Sequence, residues 1–353
     1  MVRQFAKPLN VLLIFVPVAL ILELTHGAPM LLFVISALAV IPLSGLLGEA
    51  TEELAGRTGP RVGALLNATL GNAAELIITT LAIREGLFDL VRASIIGSVI
   101  GNLLLVAGAA IVAGGLKYGL QRFDRSSAVM NSTLLIMAAF ALSLPSMFNQ
   151  AIEPNAVAVE SLSLITAGVI IILYILSMVF TFTARKTEGM TREAAHKPRF
   201  SLSAAIVLLV VSTLLIAMVS EFLVGAVEPM VKELGISELF VGIILVPIIG
   251  NVAEHVVAIE VATKNHMDLS MGIALGSSLQ VALFVAPLLV FVSLLFGHPL
   301  TLEFTTFELI ALMASCFIAA HVASDGETNW LEGVLLIGLY LLMAVGFFFL
   351  PVK

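Results

Sequence analysis

"GNAAELIITTLAI" occupies residues 71–83, and "GNVAEHVVAIEVA" occupies residues 250–262. Each sets a glycine, an asparagine and a glutamate inside an apolar run. The second copy follows the first by 179 residues, and the match extends well beyond the motif. At that offset Gly63 meets Gly242, Asp89 meets Asp268, Gly97 meets Gly276 and Ser98 meets Ser277. Upstream, Glu49 meets Glu228 and Gly56 meets Gly235. The chain therefore carries an internal repeat that spans at least Gly45 to Pro287 over its two copies.

Composition says where such a repeat can live. Of 353 residues, 60% are hydrophobic and 12% charged. A soluble domain is nearer half apolar and a quarter charged. The apolar runs repeatedly reach the roughly 20 residues that a helix needs to cross a bilayer. The fold class expected is an all-α polytopic membrane protein with about 11 transmembrane helices. The formal charge of -7 argues against nucleic acid as a partner. The single cysteine, Cys316, excludes an internal disulfide. The run from Val11 to Leu22 ends in Glu23, Thr25 and His26, without the small-residue cleavage site of a signal peptide.

The expected spans are 8–25, 29–50, 63–83, 93–115, 127–147, 156–183, 201–225, 238–262, 269–296, 304–323 and 331–351. The polar turn "TEELAGRTGPR" joins the second to the third. With the N-terminus inside, 13 of the 17 basic residues fall on inner segments, a positive-inside bias. The N-terminus is then cytoplasmic and the C-terminus outside. The organisation expected is a leading transmembrane helix (1–28), a first repeat half (29–183), a cytoplasmic linker (184–200) and a second half (201–353). The motif helices are the third and eighth spans, five apart, so they run in opposite directions. One leading helix plus two inverted five-helix repeats is the pattern of secondary transporters, with the binding site near the midplane.

A carboxylate at the bilayer centre costs about 2.5–3.5 kcal/mol on insertion scales. Glu75 and Glu254 have no basic residue near them in their own helices. They must be protonated or bound to a cation. Two carboxylates neutralise one divalent cation or hold two protons, whereas the empty, doubly ionised state is expensive. Ligands of a metal must be deprotonated, so cation and protons compete. That is the logic of an exchanger. Asn72 and Asn251 stand three residues before the glutamates, on the same helix face, and add oxygen ligands. Gly71 and Gly250, the latter with Pro247 upstream, permit a break or wide turn whose freed backbone carbonyls could join the shell. An oxygen-only set suits a hard cation such as calcium. Paired histidines or clustered cysteines, which would argue for zinc or copper, are missing from the sequence.

Partner segments carry "IIGSVIGNLLL" (95–105) and "ALGSSLQVALF" (274–284). Gly97 with Gly101, and Gly272 with Gly276 and Gln280, share helix faces that allow close approach in lipid. Ser98, Asn102, Ser277 and Gln280 place polar atoms beside that contact, either to orient the glutamates or as glue between helices. For Asn102 and Ser278 the glue reading is equally good. Glu49, Glu52 and Glu53 end the second span at the inner face, and Glu228 repeats Glu49 at the outer face; each reads as an interfacial acid or as part of an ion pathway or secondary proton site. His255, beside Glu254, is a candidate proton carrier. Small-residue faces serve internal packing or a homo-oligomer alike.

With "GNAAE", "GNVAEH", "GSVIGN" and "GSSLQ" taken together, the chain resembles the cation/proton exchanger (CAX) branch of the calcium/cation antiporter superfamily. The resemblance covers nearly the whole chain. It implies that Glu75 and Glu254 bind calcium and exchange it for protons, that Glu52 takes part in the proton path, and that no cofactor is needed. The short basic linker and the lack of a long N-terminal extension suggest a compact prokaryotic member in the plasma (inner) membrane. Rival readings are a sodium-driven calcium exchanger, a proton-coupled exchanger of another divalent cation such as manganese, a cation channel, and an intramembrane enzyme. The G-N-x-x-E motif favours protons over sodium. Channels usually use rotational symmetry or parallel repeats rather than an inverted pair. No nucleophile–base pair or metal triad in the sequence marks an enzyme.

Overall fold

The computed structural model describes residues 8–149, 155–184 and 201–350, and nearly all of them are helical. A 3-10 stretch, Pro8–Ile14, leads into α1 (Phe15–Leu24). Then follow α2 (Pro29–Thr58), α3 (Pro60–Leu70), α4 (Ala73–Arg84) and α5 (Phe88–Tyr118). A short strand β1 (Gln121–Arg122) precedes α6 (Arg125–Asn149) and α7 (Ala156–Ala184). Next are α8 (Leu202–Gly225), α9 (Val227–Leu234), α10 (Glu238–Ala262) and α11 (Met267–Phe296). After α12 (Thr306–Val322), strand β2 (Glu327–Thr328) pairs antiparallel with β1, Gln121 opposite Thr328, and α13 (Trp330–Phe348) follows.

Among the described residues, eight helical stretches are long and apolar enough to cross a membrane, and two shorter apolar helices, Leu9–Leu24 and Thr306–Val322, accompany them. The chain is a multi-pass, all-helical membrane protein. Two boundaries differ from the sequence expectation. Helix α2 runs on to Thr58, because Glu, Ala and Leu after residue 50 are good helix formers. The polar turn shrinks to Gly59, whose φ of 85° ends α2 just before Pro60 starts α3. The expected span 63–83 is shared between α3 and α4. The expected linker, 184–200, lies outside the described residues apart from Ala184.

The repeat is visible in the backbone. Helix α4 ends with Leu87 N–H donating to Ala82 O and Gly86 N–H to Ile83 O. Helix α10 ends the same way, His266 to Val261 and Asn265 to Ala262. The left-handed residue is Gly86 (φ 80°) in one and Asn265 (φ 64°) in the other, the two types that tolerate that conformation. Asp89 and Asp268 then occupy the first turns of α5 and α11, where the helix dipole favours an acid.

The chain forms two compact units, each assembled from both sequence halves. The first unit comprises residues 1–81, 172–233 and 249–253. In it α2 packs along α8, with α1 and α3 also against α2. The second comprises residues 82–171, 234–248 and 254–353. Here α5 is the centre, packed on α13, α12 and the start of α10. Its middle is fully buried, with the apolar Ile95, Ile96, Ile100, Leu103 and Leu104 beside the polar Ser94, Ser98 and Asn102.

Candidate cation site

In the first unit the helical ladder is interrupted at Gly71–Asn72, between α3 and α4. Gly71 keeps helical dihedrals (φ -57°, ψ -40°), and its N–H still reaches Asn67 O at 2.9 Å. The chain therefore loosens here without turning back. Asn72 is 1% exposed and Glu75 2%, at the start of α4. Four residues on, buried Thr79 donates its hydroxyl to Glu75 O at 2.7 Å, the back-bond that bends helices. The motif alone does not mark Thr79; its i+4 spacing from Glu75 is the only sequence signal.

Residues 249–253 of the second motif belong to this same unit. Gly250 faces Glu75: a methyl group on Gly250 would sit 3.9 Å from Glu75 Cβ. Gly45 likewise approaches Ala253, at 3.8 Å from where its own Cβ would be. Asn251 is buried. Of the two alternatives, a break or a wide turn, Gly250 itself shows no break, because α10 runs unbroken through it to Ala262. The irregularity lies upstream, as a π-helical turn at Val241–Leu245. Pro247 is the physical reason. It has no N–H for the Ile243 carbonyl, and its ring would clash with that carbonyl in a regular helix, so the turn widens.

The widened turn is in the second unit, and Gly97 packs on it. A methyl group on Gly97 would lie 2.1 Å from Ile243 O, and one on Gly242 would lie 2.5 Å from Ala93 Cβ. These glycines carry the close approach of α5 to α10. The other glycines of the expected small faces do not: around Gly101, Gly272 and Gly276 a Cβ would meet nothing within 4 Å.

Glu254 and His255 also belong to the second unit. The Ser277 side chain hydrogen-bonds the Glu254 carboxylate, while Glu254 Oε2 is buried and has no partner among the described residues. Asn102 Nδ2 donates to Ser277 Oγ at 3.0 Å, and Asn102 Oδ1 lies 3.2 Å from His255 Nε2. Asn102 comes from a π-helical turn, Gly101–Val106, inside α5. Ser98 is buried and Gln280 half-buried nearby in sequence. Ser278 instead donates to Ala274 O of its own helix, which settles it as a satisfied interior hydroxyl.

The peripheral acids separate. Glu53 is buried at 2% exposure, whereas Glu52 faces outward and Glu49 is half-buried. Glu228 pairs with Lys232 on the surface of α9, at 2.6 Å, and Glu260 pairs with Lys264. Glu308 is the N3 residue of a capping box with Thr305. Among the described residues, no three His, Cys, Asp or Glu side chains gather into a metal-holding group. Each motif instead contributes one carboxylate and one amide.

A family model described as "Sodium/calcium exchanger protein" matches residues 28–183 and 204–349. The chain belongs to that family. It is 41% identical to a Ca(2+)/H(+) antiporter of Aphanothece halophytica, over 97% of this chain and 96% of the relative. It is also 41% identical to the Ca(2+)/H(+) antiporter ChaA of Bacillus subtilis, over 95% and 97%. Among solved structures it is similar to the Ca2+/H+ antiporter protein YfkE, with a TM-score of 0.85, 39% identity, and coverage of 97% and 99%.

Proposed function

We propose that this chain exchanges Ca2+ for H+ across a membrane by alternating access, with Glu75 and Glu254 carrying the exchanged ions. The observation that carries the reading is the pair of G-N-x-x-E glutamates, each set among buried residues of a membrane helix. Neither motif offers a basic residue to neutralise its acid. A calcium ion or two protons satisfies both carboxylates, and loss of both leaves charges that the bilayer penalises. Proton loading and cation loading are thus alternatives at one site. The names of relatives at 41% identity support calcium and protons as the pair. Sodium-driven exchange lacks such support.

Asn72 and Asn251 supply amide oxygens, and the loosened backbone at Gly71 and the bare backbone at Gly250 give the ion room. Ser98, Ser277 and Gln280 line the approach. His255, and Glu52 at the exposed end of α2, suit proton transfer, and Glu49 suits the pathway. Glu228, held by Lys232, contributes at most surface charge. Calcium is cargo, and the reading requires no resident cofactor and no enzymatic step. A cytoplasmic N-terminus is read from the positive-inside bias, and a prokaryotic plasma membrane from the short basic linker.

The test is calcium uptake into proteoliposomes driven by an imposed pH gradient in sodium-free buffer. The reading expects uptake that collapses when the gradient is dissipated. Uptake that needs a sodium gradient sinks it.

A further inference from the structure

The hydrogen bonds around Asn102 run in one direction. An amide nitrogen only donates, and an amide oxygen only accepts. Asn102 Nδ2 donates to Ser277 Oγ, which leaves the Ser277 proton to point at the Glu254 carboxylate. At the other end, Asn102 Oδ1 can only accept, so His255 Nε2 must carry the hydrogen that spans the 3.2 Å between them. The chain reads His255 to Asn102 to Ser277 to Glu254. Because Oε2 of Glu254 has no hydrogen-bond partner among the described residues, Ser277 holds the other carboxylate oxygen.

Building on the exchange reading, we propose that Asn102 is a positioning residue. By making Ser277 a donor, it pins one oxygen of Glu254 and presents the other, Oε2, as the single oxygen offered to an incoming divalent cation. It also fixes neutral His255 in its Nε2–H tautomer. Two observations set this apart from general polar glue. Asn102 is 2% exposed, and both ends of its amide are engaged, the nitrogen by Ser277 and the oxygen by His255. The device is also confined to one carboxylate. At the repeat offset His255 is replaced by Leu76 and Asn102 by Val281, and only the serine, Ser98, is retained.

Two measurements test it. In 15N NMR of histidine-labelled protein, with His255→Gln to assign the signal, neutral His255 is expected in the Nε2–H form, and Asn102→Leu, which removes the accepting oxygen, should abolish that preference. In proteoliposomes Asn102→Asp, whose carboxylate takes the Ser277 proton, should raise KM for calcium about tenfold with a smaller change in maximal rate. Ser277→Ala should do the same, and the double variant should be no worse than either single one. An Nδ1–H tautomer in the wild type, an unchanged KM in Ser277→Ala, or additive losses overturn the proposal. The wild-type tautomer and Ser277→Ala decide the matter even if Asn102→Asp does not fold. A correct tautomer with no pH-driven calcium uptake by the wild type overturns the exchange reading and leaves the hydrogen-bond assignment standing.

Discussion

The two G-N-x-x-E copies are close in sequence and unlike in structure. In the first, the helix loosens at Gly71–Asn72 and Glu75 is followed by Leu76. In the second, α10 passes unbroken through Gly250, the distortion sits upstream at Val241–Leu245, and Glu254 is followed by His255. Position explains part of this. Pro247 stands where the first copy has Ala68, so only the second copy must widen its helix before the motif. The lesson is that the two copies keep the ionisable group while each solves its backbone problem separately. The two carboxylates are equal in charge and unequal in surroundings.

The largest effect should come from the charges themselves. Glu75→Gln and Glu254→Gln are each expected to abolish calcium transport while leaving a folded protein by size-exclusion profile. Near-normal uptake by either one would mean that a single carboxylate suffices and that the comparison between copies is moot.

Next comes the packing asymmetry of the matched glycines. Gly97→Ala forces a methyl group against the Ile243 carbonyl and should destabilise by about 1–3 kcal/mol. Its repeat mate Gly276 has open space, so Gly276→Ala should stay within about 0.5 kcal/mol. Thermal melts in detergent compare the two, and equal shifts would contradict the asymmetric crossing of α5 on α10.

The motif glycines should part company as well. Gly71→Ala favours a regular helix at the loosened turn, by about 0.5–1 kcal/mol of local helix stability. It is expected to slow transport and to raise the melting temperature. Gly250→Ala lies in a helix already regular, and it touches Glu75 at an ordinary contact distance. It should alter calcium affinity more than rate. If both variants affect rate alone, the backbone difference has no functional meaning.

The smallest effect concerns the repeat mates Asp89 and Asp268. Asp89 binds Arg92 at 2.6 Å, whereas Asp268 accepts the Asp124 backbone N–H. The Ser127 hydroxyl, with the backbone N–H groups of Ser126 and Ser127, holds the Asp124 carboxyl below the usual carboxylate value. A lowered folded pKa gives stability that is present above the unfolded value and lost as pH falls through the folded one. Asp124→Ala should cost under about 1 kcal/mol at neutral pH, given solvent screening, and nothing in strong acid. A melting difference that persists in strong acid would show that the carboxylate charge is not the cause.

Much of this was legible in the sequence. The membrane class followed from apolar length, and the internal repeat followed from Gly71, Asn72 and Glu75 meeting Gly250, Asn251 and Glu254. The location of the helix distortion was not legible, because glycine permits a break without requiring one, and tertiary packing decides. The residues alone read Glu49, Glu52 and Glu53 alike and the family resemblance points to Glu52; the fully buried side chain of the three is that of Glu53. Adjacent helix positions point about 100° apart, and "EATEE" alone does not fix which face is inside. The Asn102–Ser277–Glu254 chain was half legible: its members stood out as polar residues among small ones, while their partners depend on contacts between helices far apart in sequence.

The central claim is that calcium and protons compete for Glu75 and Glu254. Adding calcium to the purified protein in weakly buffered, sodium-free solution, with a pH indicator present, tests it without membranes or gradients. The account predicts prompt proton release on calcium binding by the wild type and none by the Glu75→Gln, Glu254→Gln double variant. Calcium binding without proton release, or undiminished release from the double variant, would contradict it.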